Sequence, residues 1–285
     1  EQYAQQWLEH YIRPLRRETT YCRYKDILHT KVCPVIGKKA LDQIRRSELR
    51  SFLFGLYEKG YSRSTIALVK DVISGPFNYA IDDELVSTNP TAGLLKRMEI
   101  KRDKTIHCEP FTQDEVAFFL QVCRQRYPAW HPFFLCAFRT GMRLGELLGL
   151  CWGDIDWQGA FVTVKRSFRR GSLGRTKTGK SRRVDMSAQL IRCLRQHYTE
   201  AKRQALMSGR DIFTEPVFCR NGKRRDQNMV RYTFNRVLKA AGLRHIRLHD
   251  IRHTYASLLL SSGVSPMYVK DQLGHSSIQM TVDVY

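Results

Sequence analysis

Apolar positions over residues 1–98 recur at helical spacing. Tyr3, Trp7, Leu8, Tyr11 and Ile12 form one stripe. A second helix is expected from Thr19-Thr20 to about Val32, broken by Pro34 and Gly37. Ser47 suits the N-cap of a third, with Leu49, Phe52, Leu53 and Leu56 as its stripe and Gly60 at its end. Ser62 to Ser64 open a fourth, running through Ile66, Val69, Ile73, Phe77 and Ile81, and Asn89-Pro90 ends the unit. No alternating Ile/Val run interrupts them, so 1–98 reads as an all-helical domain.

Residues 96–104, KRMEIKRDK, are charged and lack a stripe. They mark a linker over 99–106 and a second domain over 107–285. In that domain Thr112 and Glu115 form a capping box for a helix carrying Val116, Phe119, Leu120 and Cys123. A helix from about Pro132 stops at Gly141, and a further one carries Leu147 and Leu148. Phe161 to Lys165 alternates as a strand. Helices are expected over 187–207 and 228–241, with a short extended piece from Phe213 to Phe218 between them. The run Tyr255, Leu258, Leu259 belongs to a helix ended by Gly263, and Ser265-Pro266 begins another that closes at Leu273-Gly274. The fold class expected is mainly α with a small antiparallel β-sheet.

Charge sharpens the picture. The chain has 285 residues and a net charge of +21. Residues 1–106 carry 19 basic and 13 acidic side chains, and residues 107–285 carry 29 and 14, so most of the excess lies in the second half. Nine cations and no carboxylate fall between Lys165 and Arg183, on strand-like sequence with Gly171 and Gly174 as turns. Such an excess points to a polyanion, nucleic acid before a membrane surface. Arg23, Arg63 and Lys70 in the first half, and Lys180 and Arg182 in the basic hairpin, are candidate phosphate contacts. No apolar run is long enough to span a membrane. The eight cysteines are scattered without a CxxC pair, which supports no zinc finger and fits a reducing cytoplasm. No GxxxxGK[ST] loop indicates ATP, and neither a metal nor another cofactor is expected.

The chemistry gathers at the end of the chain. His249 and Arg252, three apart, share a helix face near its start. His275 sits in the turn past Leu273-Gly274, ten residues before Tyr285. An arginine fork matches phosphate oxygens, imidazoles donate hydrogen bonds or move protons, and a tyrosine can act as a nucleophile. Together they suggest attack by Tyr285 on a phosphodiester. Arg143 lies at a helix opening, a natural anion site, with Glu146 on the same face. His249 and His253 also mimic a zinc-protease pair. That motif needs Glu in its second place and a third ligand, and Asp250 is too short.

His249-x-x-Arg252, Leu273-Gly274-His275 and Tyr285 resemble the end of the tyrosine recombinase, or phage integrase, family. Arg139 to Leu147 resembles that family's first arginine box, and Lys177-Thr178-Gly179 with Ser181 and Arg182 its lysine-bearing hairpin. The resemblance implies a helical core-binding domain followed by an α+β catalytic domain. It implies a site-specific recombinase in which Tyr285 forms a 3′-phosphotyrosine link, independent of metal and ATP. Arg143 and Arg252 would hold the non-bridging oxygens with His275, His249 would take or orient the tyrosine proton, and Lys177 would protonate the leaving 5′-oxygen. Lys180 is the alternate lysine. Glu146 would orient or buffer the site. The expected partners are DNA attachment sites, a homotetramer across two of them, and DNA-bending accessory proteins. A type IB topoisomerase-like enzyme and a non-cleaving DNA-binding module are the alternatives.

Overall fold

A computed structural model describes residues 1–98, 109–176 and 179–279 of the chain. The expected linker over 99–106 lies outside them, as do Lys177 and Tyr285. The chain divides into two compact units, Glu1–Ile106 and His107–Tyr285.

The first unit is helical. Its first helix, α1, opens as Gln2–Trp7, widens to a π-helix over Leu8–Ile12 and ends as Arg13–Leu15. The second, α2, repeats the pattern as Glu18–Ile27, Leu28–Val32 and Cys33–Ile36. Pro34 therefore does not break α2, contrary to expectation. Proline lacks an N–H and its ring collides with the carbonyl four residues back. Here the ladder slips by one residue just ahead of each proline. The Arg13 N–H donates to Leu8 O and the Cys33 N–H to Leu28 O, so Pro14 and Pro34 enter a turn already widened. The third helix, α3, spans Arg46–Glu58 and also starts before the expected Ser47 cap. The reason is Glu48, whose carboxylate reaches back to accept the Arg45 N–H at 3.4 Å. The fourth, α4, spans Arg63–Asp82, and the Ser62 hydroxyl accepts the Thr65 N–H at its start. Their apolar stripes meet in one core around Trp7, Leu28, Leu49, Leu53, Ile66 and Phe77.

The second unit combines helices with small antiparallel sheets. Thr112 and Glu115 cap α5 (Gln113–Arg126) reciprocally, at 3.2 and 2.8 Å. Helix α6 (His131–Thr140) stops at Gly141, which is left-handed at φ +58°. Helix α7 (Leu144–Gly149) follows at once. Strands β1 (Ile155–Asp156) and β2 (Phe161–Val164) come next, then β3 (Arg166–Arg169), β4 (Ser172–Arg175) and β5 (Arg182–Asp185). One sheet has the order β1-β2-β5, and β3-β4 form a separate hairpin. Arg170 and Gly171 turn that hairpin in two residues, both with positive φ, which matches the twist of the flanking strands. Helices α8 (Ala188–Met207), α9 (Gln227–Ala241), α10 (Asp250–Ser261) and α11 (Pro266–Leu273) complete the unit. Phe119, Phe134, Phe138 and Phe234 interlock at its centre, with Phe119 edge-on to Phe134 at 5.5 Å between centroids.

The piece from Phe213 to Phe218 is extended only in part. Asp211 turns the chain back, accepting the Phe213 N–H on its carboxylate and the Thr214 N–H on its carbonyl. Extended pairing begins at Pro216, which bridges Cys151, and the Val217 N–H donates to Leu150 O.

Replacing Ser62 by Ala removes the cap of a twenty-residue helix. We expect it to lower the stability of the first unit by about 1 kcal/mol, seen as a lower urea midpoint at unchanged slope. An unmoved midpoint would mean the cap contributes nothing.

Candidate active site

The separated sequence boxes come together on the last turn of α11. Three consecutive carbonyls there each accept from a different arginine. Gln272 O accepts from Arg182 Nε at 2.9 Å, Leu273 O from Arg252 at 2.6 Å, and Gly274 O from Arg143 at 3.3 Å. These carbonyls carry the negative end of the helix dipole and have no partner within the helix, so cations settle there. Arg252 also donates to Gly141 O at 3.0 Å. Gly141 has to be glycine: a side-chain carbon there would meet the Tyr255 ring and lie 2.9 Å from Leu273 Cδ2, at a φ that disfavours one.

Glu146 sits beneath the arginines, 2 % exposed. Arg182 grips both its oxygens, at 3.1 and 2.7 Å. Arg143 donates to the same carboxylate twice, from its guanidinium and from its backbone N–H, each at 3.0 Å. Burial alone would raise the Glu146 carboxyl. The bond and charge of Arg182, with Arg143, outweigh it and hold the group at about 2. The sequence suggested that the helix opening at Arg143 draws an anion. In the structure Glu146 already takes that N–H, so attraction rests on the guanidinium, which remains 19 % exposed.

Both histidines adjoin this cluster. His249 is the residue before α10 and His275 follows Gly274. Burial lowers His275 first, then Arg252 and Arg143, to about 4. His249 is exposed at the surface, yet crowding by its neighbours pushes it to about 4 as well, followed by the charges of His253 and Arg252. His253 stands edge-on to His249 at 5.3 Å. Beside His249 and Arg252 opens a cleft of about 440 Å³, floored by Met142, Phe234 and Ile251. Cations thus outnumber carboxylates in a half-buried recess, which suits an anion with several oxygens.

Other expected residues are placed differently. Arg182 points inward, not to solvent, because β5 registers it against Val164 while α7 and α11 offer it acceptors. Lys180 is exposed, and its carbonyl accepts the Thr176 hydroxyl. In the first unit Arg23 is exposed on α2, Arg63 begins α4, and Lys70 is half-buried and paired with Asp71 at 2.8 Å. Sequence reasoning overlooked Gln272 and Asp185. Gln272 accepts the Asp185 N–H at 2.9 Å and donates to its carboxylate at 3.2 Å, and Tyr268 donates there at 2.6 Å. The signal was faint: one polar letter before Leu273-Gly274, and one acid ending a basic run. Among the described residues, side chains able to share a metal ion meet at Glu1, His29 and Cys33, in the first unit. No described helix is long and apolar enough to cross a membrane.

The imidazoles set a pH dependence. Folded, both stay neutral down to about 4, whereas unfolded imidazoles protonate near 6.5. The unfolded chain therefore binds more protons in that window, and stability is lost as pH falls through it. Urea midpoints at about pH 7 and pH 5 should differ accordingly. His249→Asn combined with His275→Asn should flatten the difference; an undiminished difference would contradict the assignment.

Comparison with known proteins accords with this arrangement. Residues 109–285 match the phage integrase family, and residues 1–57 match the N-terminal SAM-like domain of phage integrases. A tyrosine recombinase XerC-like protein of Caldanaerobacter subterraneus is 28% identical, over 98% of this chain and 76% of its own length. The ICEBs1 integrase of Bacillus subtilis is 28% identical, over 93% of this chain and 73% of its own length. Among solved structures, a Tn1549 transposon integrase in complex with transposon right end DNA superposes with a TM-score of 0.84 at 22% identity, over 100% of this chain and 93% of that one. A lambda integrase dimer bound to a core site superposes with a TM-score of 0.73 at 18% identity, over 99% and 76%. The chain belongs to the phage integrase, or tyrosine recombinase, family.

Proposed function

We propose that the cluster at the end of α11 holds the scissile phosphate of a DNA duplex while Tyr285 attacks it. The Tyr285 oxygen forms a bond to phosphorus and the bond to the 5′-oxygen breaks, leaving a 3′-phosphotyrosine and a 5′-hydroxyl. Arg143 and Arg252 balance the charge that develops on the non-bridging oxygens, and His275 adds a donor. His249, neutral at pH 7, is suited to accept the tyrosine proton or to orient the phosphate. Lys177 gives a proton to the 5′-oxygen, with Lys180 as the alternate. A 5′-hydroxyl from a partner duplex then reverses the step, so bond energy is conserved in the ester. The observation that carries this reading is the meeting of Arg143, Arg252 and His275 at one helix end, ten residues before Tyr285.

The wider reading follows from the relatives. The ICEBs1 integrase, a transposase from transposon Tn916 and a prophage integrase are among them, and a lambda integrase tetramer has been solved on a Holliday junction. The proposed task is integration or excision of a mobile element, by four protomers on two attachment sites, with DNA-bending proteins assisting. Residues 1–98 act as the core-binding domain and residues 107–285 as the catalytic domain. Arg23, Arg63, Lys70 and Lys180 are the proposed phosphate contacts, which position the duplex without reading its sequence.

Incubation with nicked duplexes bearing candidate attachment sequences should yield a covalent adduct that survives SDS, and Tyr285→Phe should abolish it. Arg143→Ala should bind DNA normally and form adduct about 10²–10³-fold more slowly. Undiminished cleavage by that variant would sink the assignment of Arg143. Relaxation of supercoils regardless of sequence would favour a topoisomerase, and tight binding without any adduct a non-cleaving module.

A further inference from the structure

We propose that Arg182 is a positioning residue for strand cleavage: it holds Arg143 and the turn before His275 in place through Glu146 and does not contact DNA. This rests on the phosphate-binding role proposed above for the cluster.

The guanidinium spends its donors inside the protein. Its two terminal nitrogens span the two oxygens of Glu146, and Nε donates to Gln272 O. The planar fork fits a carboxylate in a way a lysine ammonium cannot. The side chain is 13 % exposed. Pulling it away to meet a DNA phosphate would leave the Glu146 carboxylate buried and short of a partner. Arg182 thus differs from Lys180, two residues earlier and exposed, although both belong to the same basic run.

Its neighbours are shaped around it. Gly274 is left-handed at φ +64°, and a side-chain carbon there would lie 2.8 Å from Arg182 Cδ and 3.0 Å from Nε. The turn that presents His275 therefore packs its backbone directly against this side chain. On the other side, Arg182 and Arg143 share one carboxylate. Arg182 drains charge from Glu146, so that Glu146 steadies Arg143 without cancelling it. At the far end of the same strand Asp185 completes the clamp, its N–H donating to the Gln272 side-chain oxygen and its carboxylate accepting from the Gln272 amide. One residue therefore ties together the arginine box, the Leu-Gly-His turn and strand β5.

The test uses Arg182→Lys and Arg182→Gln on a nicked attachment-site duplex. Three quantities are read: single-turnover cleavage at saturating DNA, affinity as a function of salt, and the NMR titration of the His275 imidazole. Both variants should cleave about 10²-fold more slowly, the loss typical of a misplaced catalytic group. Affinity and its salt slope should match the wild type. Arg182 is among the charges that lower His275, so that pKa should rise in Arg182→Gln. A salt slope reduced by about one unit, with weaker binding, would make Arg182 a DNA contact and overturn the proposal. Full cleavage by folded variants with a lower thermal midpoint would reduce Arg182 to a stabilising residue, which also overturns it. If the wild type forms no adduct, the phosphate-site reading fails instead. The imidazole titration still decides the positioning claim, and an unmoved His275 refutes it.

Discussion

Everything in the second unit depends on how one helix end is satisfied. The last turn of α11 leaves carbonyls without partners, and they face the core, not water. Arginines from three elements fill the deficit: Arg182 from β5, Arg252 from α10 and Arg143 from the turn before α7. Each loses conformational freedom on one edge of its guanidinium. The cations proposed to hold the phosphate are thereby preorganised by backbone atoms. The two tight glycines, Gly141 and Gly274, are the geometric counterpart. Each lets backbone pass where a side chain would collide with the residues that complete the site.

Charge follows from the same geometry. One carboxylate, Glu146, lies between two arginines, Arg143 and Arg182, and burial makes its ionisation depend on them. Asp250, wholly buried, is held by Arg247 next to His249. Burial first, and the neighbouring positive charges after it, keep both imidazoles neutral at pH 7. A phosphodiester would supply the missing negative charge. Its arrival would favour protonation of His275, coupling DNA binding to proton uptake.

Much of this was legible in the sequence. The helical stripes located α3, α4, α5 and α6, because burying one face of a helix forces the spacing. The Thr112–Glu115 box and the stop at Gly141 were readable because caps use few residue types. Arg252 and His275 were identified by joint spacing and Arg143 by its resemblance to an arginine box at a helix opening, and the fold brings them together. What could not be read has physical causes. Pro34 breaks an α-helix but not one widened to a π-turn, and the widening carries no letter of its own. Arg182 and Lys180 look alike as cations in one run; only the register of β5 decides which faces inward. Backbone carbonyls are the main anchors of the site, and every residue has one, so no motif announces them. Gln272 and Asp185 matter through a strand–helix contact between residues far apart in the chain.

The most direct test of the account concerns charge at the reacting phosphate. Single-turnover cleavage would be compared on a normal scissile phosphate and on a methylphosphonate, in which one non-bridging oxygen is replaced by an uncharged methyl group. The measurement would be made for the wild type, Arg143→Ala and Arg252→Ala. If these arginines act by balancing the non-bridging oxygens, the variants should lose about 10²–10³-fold on phosphate and recover most of that deficit on the neutral substrate. An equal deficit on both substrates would mean that the arginines hold the protein together and do not stabilise the transition state, and would contradict the central claim.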